Sequence, residues 1–197
     1  IYTIVEDKRY PKLKKTYNTL VRKYNDTYSK FRPDAILTED SHSGFQFISK
    51  AFSKTHCIPC NGKSNVANMI AACNYHSILA VVDGAAFGPE IENIVTVIRE
   101  RNLLNRQTEV CTPESFEWLI LRSKLFYDKC KNELNETYNY VDSCEYESWE
   151  QYYTDLLITI TKDTPAAYTK SKLNEYYLGN TAMKSIKEMY DCIIDDS

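Results

Sequence analysis

Ile78-Leu79-Ala80-Val81-Val82-Asp83-Gly84-Ala85-Ala86-Phe87-Gly88-Pro89 is the stretch on which the fold of this chain turns. Its first five residues are apolar without alternation, the pattern of a strand covered on both faces in the middle of a parallel sheet. The run ends at an acid and a glycine. Pro89 then suits the first turn of a helix that carries Ile91, Ile94, Val95 and Ile98 at helical spacing.

The same strand-to-helix unit recurs on either side. Ala35-Ile36-Leu37-Thr38 is a short apolar run followed by the cap-rich Glu39-Asp40-Ser41-His42-Ser43-Gly44, then by Phe45, Ile48 and Phe52. His56-Cys57-Ile58-Pro59-Cys60 leads into the polar turn Asn61-Gly62-Lys63-Ser64 and a helix with Val66, Met69, Ile70 and Cys73 on one face. Thr108-Glu109-Val110-Cys111-Thr112 reads as a fourth strand, followed by Pro113-Glu114-Ser115 and a helix through Phe116, Leu119 and Ile120. Four such units predict an α/β fold over residues 34–125, a four-stranded, mainly parallel sheet flanked by helices.

Helical patterns flank this domain. Tyr10, Leu13, Tyr17, Leu20, Val21, Tyr24, Tyr28 and Phe31, with Lys12, Lys14, Lys15, Arg22 and Lys23 between them, predict a basic N-terminal helix within residues 1–33, ended by Arg32-Pro33. From Tyr127 onward no strand is predicted. Trp149, Tyr152, Tyr153, Leu156, Leu157 and Ile160 mark an amphipathic helix, and Leu173/Tyr176/Tyr177 and Ile186/Tyr190/Ile193 mark two more. Residues 126–197 are therefore expected as a helical extension packed on the α/β domain.

Composition excludes several classes. With 43% hydrophobic and 26% charged residues and only 5 Gly and 6 Pro in 197, collagen-like, low-complexity and disordered chains are ruled out. No apolar run approaches the roughly 20 residues of a membrane helix, and Ile1–Lys8 lack the basic start and apolar core of a signal peptide. A cytoplasmic protein with no membrane partner is expected, and its seven cysteines as reduced thiols. The chain starts at Ile1 rather than Met, so a processed or trimmed piece of a longer protein is expected. Residues 1–32 hold nine Lys and Arg against three Asp and Glu, whereas residues 128–197 hold seven against fourteen. A basic arm of this kind meets a phosphate backbone or an acidic partner, and also forms plain solvated helix faces.

Ligands of an open parallel sheet gather at the carboxyl ends of its strands. Here those ends carry Glu39 and Asp40, then Asn61-Gly62-Lys63-Ser64, then Asp83, then Glu114. Acidic loops beside a Gly-Lys turn suit a hard divalent cation and a phosphate, the carboxylates taking Mg²⁺ and Lys63 with Ser64 taking the phosphate. Each acid read alone is equally a helix cap or a first-turn charge.

At residues 34–115 the chain resembles the Toprim (topoisomerase–primase) domain, and OLD-type nucleases in particular. The matching pieces are the acid after the first strand in Ile36-Leu37-Thr38-Glu39-Asp40, the turn Asn61-Gly62-Lys63, and Asp83-Gly84-Ala85-Ala86-Phe87-Gly88 in place of an Asp-x-Asp-x-x-Gly motif. The resemblance implies that Glu39 is a general acid/base and that Asp83 holds Mg²⁺ for phosphodiester cleavage or transfer. Ala85 departs from the pattern, because a methyl group stands where the family has its second Asp. On this reading Glu39 and Asp83 are catalytic, Glu39, Asp83, Asp40 and Glu114 are candidate Mg²⁺ ligands, and Lys12, Lys15, Arg22 and Lys23 hold DNA or RNA.

Rival readings attach to the same residues. Asn61-Gly62-Lys63-Ser64 with Asp83 resembles the end of a P-loop with a Walker-B-like acid, but the position of the motif's first glycine is Cys57. Cys57, Cys60, Cys73 and His76 have zinc-like spacing, although they fall inside one strand–helix unit. The Cys57-Ile58-Pro59-Cys60 pair does not open a helix, which argues against redox chemistry. His42 in the first acidic loop is a surface residue or a proton shuttle. Two functions are expected from these data: a Toprim-like, Mg²⁺-dependent nucleic-acid enzyme or its degenerate derivative, and alternatively a catalytically silent subunit of a larger protein assembly. The second is favoured by Ala85, by the tyrosine-rich tail and by the opposite charges of the two ends.

Overall fold

The computed structural model describes residues 32–190 and, as backbone, two short strands nearer the N-terminus. Those are β1 (Tyr2–Val5) and β2 (Lys12–Lys15), which pair antiparallel with Ile4 opposite Leu13. This corrects part of the expected basic helix. A lone Leu13 among lysines satisfies a two-residue period as well as a helical one, and pairing with the apolar Tyr2–Val5 run selects the strand. Lys12 and Lys15 therefore lie on a β-ribbon. The rest of that stretch, with Arg22 and Lys23, lies outside the described residues.

The main sheet contains β3 (Ala35–Thr38), β4 (His56–Pro59), β5 (Ser77–Val81) and β6 (Gln107–Cys111) in the order β4-β3-β5-β6. All three pairings are parallel, with Leu37 beside both Ile58 and Ala80, and Val81 beside Cys111. The two central strands are buried along their whole length. That is why they read as unbroken apolar runs, while the outer strands carry His56, Gln107 and Glu109.

Alternation along β3 and β5 divides the core in two. Ala35, Leu37, Ile78 and Ala80 face the layer made by α2 (Lys63–Ala72) and α3 (Ile91–Leu103). Ile36, Leu79 and Val81 face the opposite layer, which begins with α1 (Ser43–Ala51) and α4 (Phe116–Arg122). Arg101 ties the first layer together from a buried position, donating to Thr108 Oγ1 and to the carbonyls of Ile70, Cys73 and Tyr75. A guanidinium so placed satisfies the last carbonyls of α2.

Short turns and α5 (Lys131–Asn135) lead from α4 to α6 (Trp149–Thr161), which is capped by the Ser148 hydroxyl. A strap of irregular chain, residues 162–174, then precedes the single turn α7 (Glu175–Leu178) and α8 (Asn180–Lys187). The expected helix on Leu173, Tyr176 and Tyr177 is thus one turn only. Tyr153, Leu157, Tyr168, Tyr177, Ile186 and Tyr190 share one continuous core with Ile36, Phe47 and Phe116. Residues 149–190 accordingly form a covering layer on this face of the sheet. Among the described residues no helix is long and apolar enough to cross a membrane.

Candidate functional site

Strand order determines where a ligand crevice opens. The chain leaves β3 toward β4 on one side and returns to β5 on the other, so the loops after β3 and β5 diverge and leave a gap between them. Glu39 is the first residue after β3, and Asp83 follows β5 by two. The Glu39 amide donates to the Val81 carbonyl at 3.0 Å, fixing the backbone, and its side-chain Oε2 accepts from the Asp83 amide at 3.0 Å. The Gly62 amide donates to the Glu39 carbonyl at 2.8 Å, which brings the turn after β4 to the same place.

The loop after Asp83 is held equally closely. Gly84 and Ala85 donate to the carbonyls of Pro113 and Glu114 at 2.6 and 2.9 Å. A Cβ on Gly84 would lie 2.7 Å from the Thr112 carbonyl oxygen, so only glycine fits at this crossing.

Glu39, Asp83 and Glu117 line a cavity of about 30 Å³ together with Asp40, Lys170 and Tyr190. That is space for one or two waters or a small ion. Desolvation pushes Glu39 up to about 7, aided by the charges of Glu150 and Asp40 and opposed by the Asp83 amide and Lys63. Asp83 is raised well above the carboxylate range by desolvation, then by Glu39, Glu117, Glu150 and Asp40. Negative charge is concentrated here beyond what the local hydrogen bonds compensate, the condition in which a proton or a cation is held.

Not every expected ligand is free for that role. Asp40 accepts from the amides of Gly44 at 3.0 Å and Phe45 at 2.9 Å, so its carboxylate caps α1. Glu114 contributes its backbone carbonyl to Ala85, and its side chain is not among those lining the cavity. Two acids not expected from the sequence stand here instead, Glu117 lining the cavity and Glu150 the adjoining cleft. Glu117 is 2% exposed and accepts from the Tyr168 hydroxyl at 2.7 Å, which in turn lies 2.8 Å from Ser43 Oγ. Glu150, on α6, is ion-paired with Lys170.

A larger cleft of about 700 Å³ adjoins the cavity and shares Lys170 with it. Lys63 and Ala85 lie on one wall, Ser148, Glu150 and Gln151 on the other. Lys63 opens α2, behind the left-handed turn at Asn61 (φ 61°) and Gly62 (φ 116°), and its Nζ donates to the Ala86 carbonyl at 3.4 Å. This two-residue bend leads straight into the helix without the longer wrapped loop that a P-loop needs. Ser64 is exposed and not among the residues lining the cleft.

No family model, no curated protein and no solved structure matches this chain.

The remaining sequence candidates fall elsewhere. Cys57 packs on the α1 side of the sheet, whereas Cys60 and Cys73 lie in the core under α2 and α3. Burial raises Cys57 to about 11 and Cys60 to about 12, which keeps both as thiols. Among the described residues no three of His, Cys, Asp and Glu are gathered as a ready-made metal cage. His42 is exposed at the start of α1. Lys170 was not a sequence candidate because its segment has no periodicity. Burial pulls its ammonium down, but the hydrogen bond to Glu150 and the charges of Glu117, Glu150 and Asp83 outweigh this and hold it above the ordinary lysine range.

Proposed function

We propose that the crevice between β3 and β5 is a phosphodiester-processing centre of the Toprim kind, acting on DNA or RNA. One observation carries the reading: Glu39 and Asp83, 44 residues apart, are hydrogen-bonded at the switch point of the sheet and line one acidic cavity beside a lysine-lined cleft. Glu39, pushed by burial up to about 7 in the absence of a cation, is the candidate general acid/base. Asp83, with Glu39, supplies the oxygens for a Mg²⁺ ion. Two carboxylates suffice, because Mg²⁺ retains much of its water and takes further ligands from a substrate phosphate. When bound, the ion would polarise the phosphoryl group and offset the negative charge of the carboxylates.

Lys63 reaches into the cleft from the α2 side and contacts the phosphate. The position of the family's second Asp is Ala85, which borders the cleft and is buried in the hydrophobic core on the α1 side of the sheet. Negative charge on that side comes from Glu150 and Glu117 on different elements.

Labelled single- and double-stranded DNA and RNA, incubated with the protein and Mg²⁺ or with a chelator, test this. Cation-dependent cleavage is expected, reduced by about 100-fold or more in Glu39→Gln and Asp83→Asn. Absence of cleavage together with absence of cation binding by calorimetry would sink the proposal. Cation binding without cleavage would favour the second reading, a silent interaction subunit, for which Ala85 is the specific observation.

A further inference from the structure

The backbone on either side of Lys170 is anchored, although its side chain is half-exposed. Lys170 belongs to the strap of residues 162–174, which has no helix or strand of its own. Two residues before it, the Tyr168 hydroxyl donates to Glu117, and the Tyr168 amide donates to Thr161 Oγ1 at 3.1 Å. Three residues after it, the Leu173 amide donates to Gln46 Oε1 at 3.0 Å. Between these anchors the Thr169 hydroxyl closes a local turn onto the Lys172 carbonyl. The strap is thus pinned to α1, α4 and α6, and Lys170 stands where the acidic cavity meets the larger cleft, bordering both.

Its ammonium is paired with Glu150, and among the described residues Lys170 is the only lysine or arginine lining the cavity with Glu39, Asp83 and Glu117. We infer that Lys170 is a tethered counter-ion of the carboxylate site, competing with a divalent cation for the same negative charge and turning to the substrate phosphate when the cation enters. The inference rests on the carboxylate reading above and adds to it a regulation of cation entry. A side-chain cation and a free one cannot both sit close to the same few carboxylates without repelling each other, and each close charge–charge contact in a partly solvated site changes affinity by about tenfold or more. The charge freed on Lys170 then faces Lys63 across the cleft, and the two form a pair of ammonium groups for one phosphate-bearing strand.

Calorimetric titration with Mg²⁺ alone, at pH 8 and without nucleic acid, tests the inference in the wild type, Lys170→Met and Lys170→Arg. Lys170→Met should bind Mg²⁺ about tenfold more tightly, and Lys170→Arg, which keeps the charge, should bind as the wild type does. A thermal scan of each variant without the cation establishes that it is folded. Capture of a short single-stranded oligonucleotide in Ca²⁺, which blocks turnover, should weaken in Lys170→Met and persist in Lys170→Arg. Equal Mg²⁺ affinity in wild type and Lys170→Met would overturn the counter-ion role while leaving the carboxylate site standing. No Mg²⁺ binding by any of the three would overturn both.

Discussion

At the scale of single residues, the site is defined by two acids whose surroundings disfavour their charge. Folded Glu39 retains its proton up to about pH 7, whereas in an unfolded chain it releases it near 4.5. Between those values the folded protein binds more protons than the unfolded one, so stability falls as pH rises through that interval, and above about 7 the loss is complete. The displacement corresponds to no more than about 3.5 kcal/mol. Urea unfolding at pH 5 and pH 8 without divalent cations should show this decline in the wild type and a flatter profile in Glu39→Gln, whose amide oxygen still accepts from the Asp83 amide. Glu39 and Asp83 were legible in the sequence because each closes an apolar strand, and strand ends in a parallel sheet face one edge. Asp40 lines the cavity but spends its carboxylate on the first amides of α1, and because capping and ligation draw on the same residue types, nothing in Glu39-Asp40 says which carboxylate turns back to the helix. Glu117 is not legible as a site residue, since it sits in the first turn of an apolar helix, where an acid is ordinarily a solvated dipole partner.

At the scale of elements, the strap 162–174 performs the work that a helix performs elsewhere in this fold. It lacks a periodic pattern, so no sequence rule assigns it a position, and the hydroxyl chain Ser43–Tyr168–Glu117 fixes it instead. Removing the Tyr168 hydroxyl leaves a carboxylate that is 2% exposed without that donor. Tyr168→Phe should therefore cost about 1–3 kcal/mol in denaturant unfolding, and amide exchange at Tyr168 and Leu173 should quicken more than at β3 or β5. Should exchange speed up uniformly instead, the strap is not separately anchored by this contact. The four strands of the main sheet and the helices that follow them were legible for the opposite reason: short apolar runs and helices of period 3.6 alternate along the chain and are separated by Gly, Pro and capping residues.

At the scale of the whole molecule, one face of the sheet is completed only by the C-terminal helices. Tyr190 is 1% exposed, with its ring centroid 5.9 Å from that of Phe52 and 6.4 Å from that of Phe47. Tyr190→Ala should cost about 3–5 kcal/mol by analogy with other buried aromatic truncations, as read from the denaturant midpoint, and should also disturb the cavity that Tyr190 lines. A variant with unchanged stability would mean that α8 docks by other contacts. The amphipathic spacing of the tail announced that it packs on something; which face it covers, and that it lends Lys170, Glu150 and Tyr190 to the crevice, depends on long-range packing that spacing alone does not encode.

Tyr168 reaches Ser43 across 125 positions and Leu173 reaches Gln46 across 127. During synthesis, then, a ribosome-bound chain that already carries both strand-end acids still lacks the wall that encloses them. The cavity is walled only after the segment from Lys170 to Tyr190 has emerged and docked, so its enclosure is a late event set by connectivity.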